Sequence, residues 1–198
     1  MAKELIIEIS WLRPLKLIGL ANLLCGIIVF IISMILEDWV VSDENENFQF
    51  YMCLWKKCKK IQPLAATRET AVEADWECLE ATSLGLYMSI VQALIVIPFV
   101  ASVVAFVIGI VAYCKREWRF LYKIAAVILI IAAIAVLVAV ILFPVMFIND
   151  LPFSAFFWFG WGYGVAWAAF CFILCAAVLF LISQDKKEIY HTQKTVSL

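Results

Sequence analysis

The 198-residue chain is 66% apolar and only 16% charged, unlike water-soluble domains. Its 15 basic and 16 acidic residues nearly cancel, so no basic surface for nucleic acid is indicated. The single histidine, His191, lies near the C-terminus, and neither a glycine-rich phosphate loop nor a metal-spaced cluster occurs. We therefore expect a protein of the lipid bilayer that has no enzymatic activity, cofactor, metal or nucleic-acid partner.

Four charge-free stretches are each long enough for a helix that crosses about 30 Å of hydrocarbon. They predict membrane spans over residues 15–36, 84–113, 124–147 and 160–182. The first is read as a retained helix rather than a signal peptide, because its apolar run exceeds roughly 7–15 residues and no small-residue cleavage pattern follows. Arg13 and Lys16, at its start, are expected to snorkel to the headgroups.

The positions of lysine and arginine predict the orientation. Ten of the 15 lie before or at the first span, between the second and third, or after the fourth, and five lie between the first and second. Because the cytoplasmic side is enriched in these residues, both termini are expected inside. The cytoplasmic segments are then residues 1–14, 114–123 and 183–198, and the extracellular loops are residues 37–83 and 148–159.

The first extracellular loop is the only segment large enough to fold outside the bilayer. Residues 48–55 are rich in aromatics and predict a strand, and residues 39–41 predict a shorter one, so a small sheet is expected. Next to them comes a basic cluster consisting of Lys56, Lys57, Lys59 and Lys60. It is read as a solvated strand edge rather than an anion path, because the loop as a whole is acidic.

Three cysteines of this loop face the oxidising side, where disulfides persist: Cys53, Cys58 and Cys78. If Cys53 and Cys58 shared one extended strand, they would lie about 16 Å apart. That distance is far beyond the roughly 7 Å limit for a disulfide. Cys58 with Cys78 is therefore the better pair, and Cys53 is left over.

Trp39, then Leu54-Trp55-Lys56-Lys57-Cys58, then Cys78 resembles the first-loop signature of the claudin and peripheral myelin protein superfamily. This resemblance implies an all-α membrane protein, a left-handed bundle of four transmembrane helices with a small extracellular antiparallel β-sheet. It also implies a Cys58–Cys78 disulfide. Cys53 stands where claudins carry glycine. Trp39 and Trp55 are expected to anchor the sheet at the headgroup level.

Three further segments are similar to one branch of this superfamily: residues 14–20 (PLKLIGL), residues 75–78 (DWEC) and residues 161–167 (WGYGVAW). The last contains Trp161, Gly162, Tyr163, Gly164 and Trp167. This similarity implies a plasma-membrane protein at cadherin-based junctions of epithelia, where it organises adhesion and junctional actin. The cadherin–catenin complex is then a candidate partner.

Small and polar residues within the spans predict helix contacts. Gly160 and Gly164 form a small-xxx-small pair, for which packing inside the bundle is favoured over dimerisation. Asn22 and Gln92 are expected to hydrogen-bond between helices. Ionisable groups near the midplane, which transport would require, do not occur in the spans.

Two candidate sites are predicted on the cytoplasmic side. Cys114, beside Lys115 and Arg116, is a candidate for S-palmitoylation. Val196 and Leu198 suit a hydrophobic-type ligand of a PDZ scaffold, in which alternate side chains and the free carboxylate are bound. The alternative is an idle, solvated tail.

Three functions use the same expected fold, and the residues do not separate them. The leading one is a non-enzymatic organiser of adhesion at cell junctions. The alternatives are a claudin-type paracellular barrier or pore former and an auxiliary subunit of an ion channel or receptor. A second copy of the chain, in a homo-oligomer, is a further candidate partner.

Overall fold

Four long helices and one small sheet make up the described part of the chain. The computed structural model describes residues 13–45, 48–61, 75–80, 85–115, 120–149 and 157–182. The helices are α1 Arg13–Ile35, α2 Leu86–Cys114, α3 Phe120–Asn149 and α4 Trp161–Leu181. The strands are β1 Val40–Asn45, β2 Phe48–Met52, β3 Lys56–Ile61, β4 Asp75–Glu80 and β5 Trp158–Phe159.

All four helices are long and apolar enough to span a membrane, with between 21 and 30 residues in each span. Each overlaps one predicted span. The largest difference is at α3, which begins at Phe120 rather than residue 124. The charge-free stretch begins only after Lys123, but a helix can include an interfacial turn that carries an exposed lysine.

Small residues line the faces by which the helices meet. The buried alanines are Ala125, Ala126, Ala132, Ala133 and Ala139 on α3 and Ala166, Ala169, Ala176 and Ala177 on α4. In lipid, helices associate through close packing of this kind. At Gly26 of α1, a Cβ atom would lie 2.9 Å from the Cβ of Phe172 in α4. Asn22 Nδ2 donates to the carbonyl of Phe172 at 2.8 Å, so its predicted interhelical hydrogen bond is confirmed.

The sheet combines strands from both loops at one end of the bundle. Its order is β4-β3-β2-β1-β5, and each neighbouring pair is antiparallel. The two-residue strand β5, from the second loop, pairs with β1 through Val40↔Phe159 and Val41↔Trp158. The second loop therefore completes a sheet that the first loop mostly builds.

The predicted strand over residues 48–55 is too long. Strand β2 ends at Met52, and the chain turns at once, because the Cys53 N–H donates to the Lys56 carbonyl at 2.9 Å. The lysine-rich segment then returns as β3. This strand lies between β2 and β4, so the interpretation of its lysines as a strand edge is wrong.

The predicted disulfide between Cys58 and Cys78 is confirmed. The two residues are direct cross-strand partners in β3 and β4, with their Cα atoms 4.0 Å apart. Cys53 and Cys58 do not share a strand, however, so the expected separation of about 16 Å along one strand is wrong. Cys53 is a free, buried cysteine at the turn. The disulfide joins residues 20 positions apart, and closing such a loop stabilises a fold by about 3 kcal/mol in the chain-entropy model.

Candidate functional site

Trp39 is enclosed where the end of α1 meets the sheet. It is fully buried, and its indole Nε1–H donates to the carbonyl of Ser33 at 2.9 Å. Its ring packs edge to face against Phe143 of α3 and Tyr163 of α4, with centroids 5.2 and 6.2 Å apart. The Ser33 hydroxyl donates to the carbonyl of Gly162 at 3.0 Å. The expectation that Trp39 anchors at the headgroup level is therefore wrong, because this side chain joins three helices inside the protein.

Backbone hydrogen bonds on both sides of Trp39 fasten the sheet to the start of α4. The Trp39 N–H donates to the carbonyl of Met52 in β2 at 3.1 Å. Its own carbonyl accepts from the Gly160 N–H at 3.1 Å, and the Asp38 carbonyl accepts from the Gly162 N–H at 3.0 Å. The N–H groups at the start of a helix have no partner within it, so residues 38 and 39 satisfy donors that α4 leaves open.

Two of the three glycines at the start of α4 are required by this close approach. A Cβ atom at Gly160 would collide with the carbonyl oxygen of Asp38, and one at Gly162 would lie 2.6 Å from Cδ1 of Trp39. At Gly164, nothing lies within 4 Å of the Cβ position, and the residue is exposed. Gly160 and Gly164 were predicted to pack inside the bundle as a small-xxx-small pair, and this prediction is wrong for Gly164.

Tyr163 satisfies a backbone carbonyl that a proline leaves open. Pro144, inside α3, has no N–H to donate to the carbonyl of Val140, four residues earlier. The Tyr163 hydroxyl donates to this carbonyl at 2.9 Å. Its ring also packs against Phe159 of β5, with centroids 4.7 Å apart. One side chain therefore connects the proline turn of α3, the start of α4 and the sheet.

We expect Tyr163→Phe to lower the free energy of unfolding by about 1–3 kcal/mol, because only the hydroxyl is lost and the Val140 carbonyl becomes unsatisfied. Denaturant titration of the purified protein in mixed micelles measures this change. Tyr113→Phe is the matched control, because Tyr113 is half exposed at the C-terminal end of α2. This substitution should change stability by less than about 0.5 kcal/mol. Equal stability of the two variants would rule out this role for Tyr163.

The turn between β2 and β3 is a second point where the sheet is fastened. Trp55 Nε1–H donates to the carbonyl of Met34 in α1, and Gln92 Nε2 of α2 donates to the carbonyl of Leu54, both at 2.8 Å. Leu54 is fully buried, whereas Trp55 is 46% exposed and stays a candidate headgroup anchor. The predicted helix-to-helix bond of Gln92 is wrong, since its amide holds this turn instead.

An exposed ion pair lies beside the same turn. Lys56 Nζ is 2.7 Å from Glu37 Oε1. The hydrogen bond to Glu37 raises the pKa of Lys56 above its ordinary value of 10.5, against a smaller opposing effect of desolvation. A raised lysine pKa means that the contribution to folding is complete below the ordinary pKa. It is lost only as the pH rises through the raised value, so changes near neutral pH leave the lysine charged.

Of the other predicted residues, Trp161 and Trp167 lie on α4 beside this site, and the Trp167 ring meets the Tyr163 ring edge to face with centroids 6.4 Å apart. Trp161 is 82% exposed, and Trp167 is partly buried on α4. Cys114 is the exposed last residue of α2. Val196 and Leu198 lie outside the described residues.

Sequence reasoning missed several residues that receive Trp39, namely Ser33, Asp38 and Phe143. One available signal was Ser33, the only hydroxyl-bearing residue of α1. The second available signal was Pro144, because a proline inside a span leaves the backbone carbonyl four residues earlier without an N–H partner. That carbonyl then needs a hydrogen-bond donor from a neighbouring helix.

Comparison with known proteins agrees with this architecture. Residues 14–180 match the PMP-22/EMP/MP20/Claudin family. The chain belongs to this family. Its members are structural membrane proteins. A Danio rerio protein called "p53 apoptosis effector related to PMP-22" is 27% identical over 186 residues, which cover 93% of this chain and 90% of that protein.

The family match includes both points at which the sheet is fastened. In the part of the chain that the structure describes, no three His, Cys, Asp or Glu side chains are grouped to hold a metal ion. What the arrangement does is mechanical: hydrogen bonds and ring contacts hold a five-stranded sheet against the end of a membrane bundle.

Proposed function

We propose that this family member organises cell adhesion and junctional actin at cadherin-based contacts of the plasma membrane, without catalysing a reaction. The observation that carries the proposal is the fixed sheet. Its strands come from both loops, and it is held to the bundle at Trp39 and at the turn that contains Trp55. A surface held in one conformation loses little entropy on binding, which suits an adhesive contact.

The sheet is proposed to face the cell exterior. Its disulfide belongs to an oxidising compartment, since disulfides are rare in the cytosol. At the opposite end of the bundle, Lys115 directly follows α2, Lys123 lies in the first turn of α3, and both side chains are exposed. Basic residues near the ends of spans favour the cytoplasmic side. Both termini then lie in the cytoplasm.

A finer proposal concerns the branch of the family. Residues 14–20, 75–78 and 161–167 look like the corresponding segments of transmembrane protein 47, also called brain cell membrane protein 1. The first begins α1, the second carries Cys78 of the disulfide, and the third packs against Trp39. Only the third segment therefore belongs to the joint between sheet and bundle, since the first lies at the opposite end of α1 and the second lies in the edge strand β4. The resemblance implies the cadherin–catenin complex as a partner.

The interior of the bundle argues against a path through a single copy. The buried polar or charged residues of the described chain are Lys16, Ser33, Ser42 and Ser102. None of the described buried side chains has an unsatisfied nitrogen or oxygen. A transport route would place ionisable groups along a water-filled pathway inside the bundle. The barrier or pore alternative therefore needs surfaces between copies of the chain.

Proximity labelling tests the proposal directly. A biotin ligase should be fused to the N-terminus, because a PDZ ligand needs a free C-terminal carboxylate. We expect cadherin and catenins to be labelled above the level given by the same ligase on an unrelated four-span protein. No enrichment over that control would contradict the adhesion role.

Three other results would each replace the proposal with a different function. Continuous intramembrane strands in freeze-fracture images would establish the barrier function. A channel or receptor that co-purifies in stoichiometric amount would establish the auxiliary subunit. The name of the Danio rerio relative describes an apoptosis effector. Loss of viability on expression, without enrichment at junctions, would therefore favour an effector of cell death.

We expect deletion of residues 195–198 to reduce labelling of PDZ scaffolds several-fold while stability is unchanged, because Val196 and Leu198 fill alternate pockets of the bound domain. Ser197→Ala is the control, since the intervening side chain points away from those pockets. Labelling that is the same for the deletion and for wild type would show that the tail is idle.

Mass spectrometry of Cys114 in the same samples tests its proposed palmitoylation.

A further inference from the structure

A buried lysine connects the start of α1 to the end of α4. Lys16 is only 6% exposed, and its ammonium donates to the carbonyl of Phe180 at 3.0 Å and to that of Ile182 at 3.1 Å. The same nitrogen lies 4.7 Å from the centre of the Tyr122 ring of α3, a cation–π contact. The expectation that Lys16 snorkels to the headgroups is wrong, because its charge is held inside the protein.

The end of α4 has carbonyls that the helix cannot pair by itself. A helix leaves its last four carbonyls without N–H partners, and here the Ile182 N–H donates to Val178 at 3.1 Å as the chain leaves the helix. The last turn of α4 carries no basic residue. A helix C-terminus nevertheless favours a nearby cation. Lys16 supplies, from another helix, both the donors and the charge.

Two glycines bring the helices close enough for this contact. At Gly19, one turn after Lys16, a Cβ atom would lie 2.9 Å from Cε1 of Phe180, and at Gly109 of α2 it would lie 3.3 Å from Cζ of the same ring. Phe180 also meets Tyr122 edge to face, with centroids 5.5 Å apart. All four helices thus meet around Phe180, and Lys16 holds the backbone of that residue.

We propose that Lys16 is an interhelical cap that sets where α4 ends and where the C-terminal segment leaves the bundle. With the ammonium in place, the carbonyls of Phe180 and Ile182 are satisfied without water, so the last turn stays formed beside α1. Without it, these carbonyls must find water or headgroups, and the last turn opens. This role is independent of the adhesion proposal, because it concerns the fold alone.

Hydrogen exchange of the full chain in lipid nanodiscs tests the cap. In Lys16→Met, we expect amides of the last turn of α4 to exchange at least about tenfold faster than in wild type, while strands β1 to β3 keep their protection. Lys123→Met is the matched control, since it removes the same charge from an exposed position on α3 and should leave the last turn unchanged. Exchange of that turn within about twofold of wild type in Lys16→Met would overturn the proposal.

A second measurement needs no substitution, so it applies even if Lys16→Met folds poorly. Reductive methylation of the wild-type protein in nanodiscs should modify Lys16 at least about tenfold more slowly than Lys123, because a lysine must leave its partners to react. A lysine that snorkels to the headgroups would react as Lys123 does. Equal rates for the two residues would therefore overturn the cap.

Discussion

Replacing Trp39 by alanine should lower the free energy of unfolding by about 3–5 kcal/mol, the range for truncating a large buried aromatic residue. Two losses combine at this position. The ring contacts with Phe143 and Tyr163 disappear, and the carbonyl of Ser33 loses its indole donor. Membrane proteins of marginal stability that lose this much unfolding free energy are retained inside the cell. We therefore also expect little of the variant at the cell surface.

Trp161→Ala provides the control for Trp39. Both tryptophans lie near the joint of sheet and bundle, but Trp161 is 82% exposed and makes no comparable contact with the core. Its truncation should change stability by less than about 0.5 kcal/mol. Denaturant titration in mixed micelles and surface biotinylation of cells measure both variants. If Trp39→Ala were as stable and as well delivered as Trp161→Ala, the joint described above would not support the fold.

Gly162→Ala should destabilise the protein by about 1–3 kcal/mol, although alanine is the better helix former. The added Cβ would lie 2.6 Å from Cδ1 and 3.0 Å from Nε1 of Trp39. Since the indole is fully enclosed, it cannot move aside without breaking its bond to Ser33. The expected result is a variant whose sheet is loosened at the start of α4.

Gly164→Ala is a matched control two residues away on the same helix. Nothing lies within 4 Å of its Cβ position, so alanine should be neutral or stabilise by up to about 1 kcal/mol through helix propensity. The same unfolding titration measures both variants. Relative to wild type, we expect a lower free energy of unfolding for Gly162→Ala and an equal or higher one for Gly164→Ala. Two alanine variants of equal stability would contradict the close approach of Trp39 to α4.

The helices and the disulfide could be predicted because their signals are local or belong to the family. A long apolar stretch such as α3 has no other stable form in a bilayer than a helix. The Cys58–Cys78 pair followed from the order of residues that resembles the family signature. Helix ends were less certain, since Lys123 interrupts the apolar pattern without ending the helix.

The sheet could be predicted only in part. Strand β2 has the aromatic composition of a strand, but β3 consists largely of lysine, which strands disfavour. What holds β3 in place lies elsewhere in the sequence: the disulfide to β4, and the register that sets Glu77 opposite Lys59 and Glu80 opposite Lys56. The two residues of β5 are too few to give any pattern of their own.

The different fates of the two signature tryptophans could not be read from the chain. Trp39 and Trp55 both stand in the first loop near predicted span ends, where an interfacial position is the usual expectation for tryptophan. Burial of Trp39 depends on the gap at Gly162 and on the rings of Phe143 and Tyr163, which belong to helices far along the chain. Whether each tryptophan is buried in the protein or lies at the membrane interface therefore depends on how the helices pack together.

The pairing of β5 with β1 has a consequence for the order of events during synthesis. Trp39 leaves the ribosome about 120 residues before Tyr163, a delay on the order of ten seconds at usual rates of translation. During that interval α1 and the first loop have entered the membrane system, but the pocket for the indole has not been made. The disulfide, whose two cysteines belong to the first loop, can form early. Until α4 inserts, the nascent sheet therefore lacks only β5, and the Trp39 side chain has no complete pocket in which to be buried.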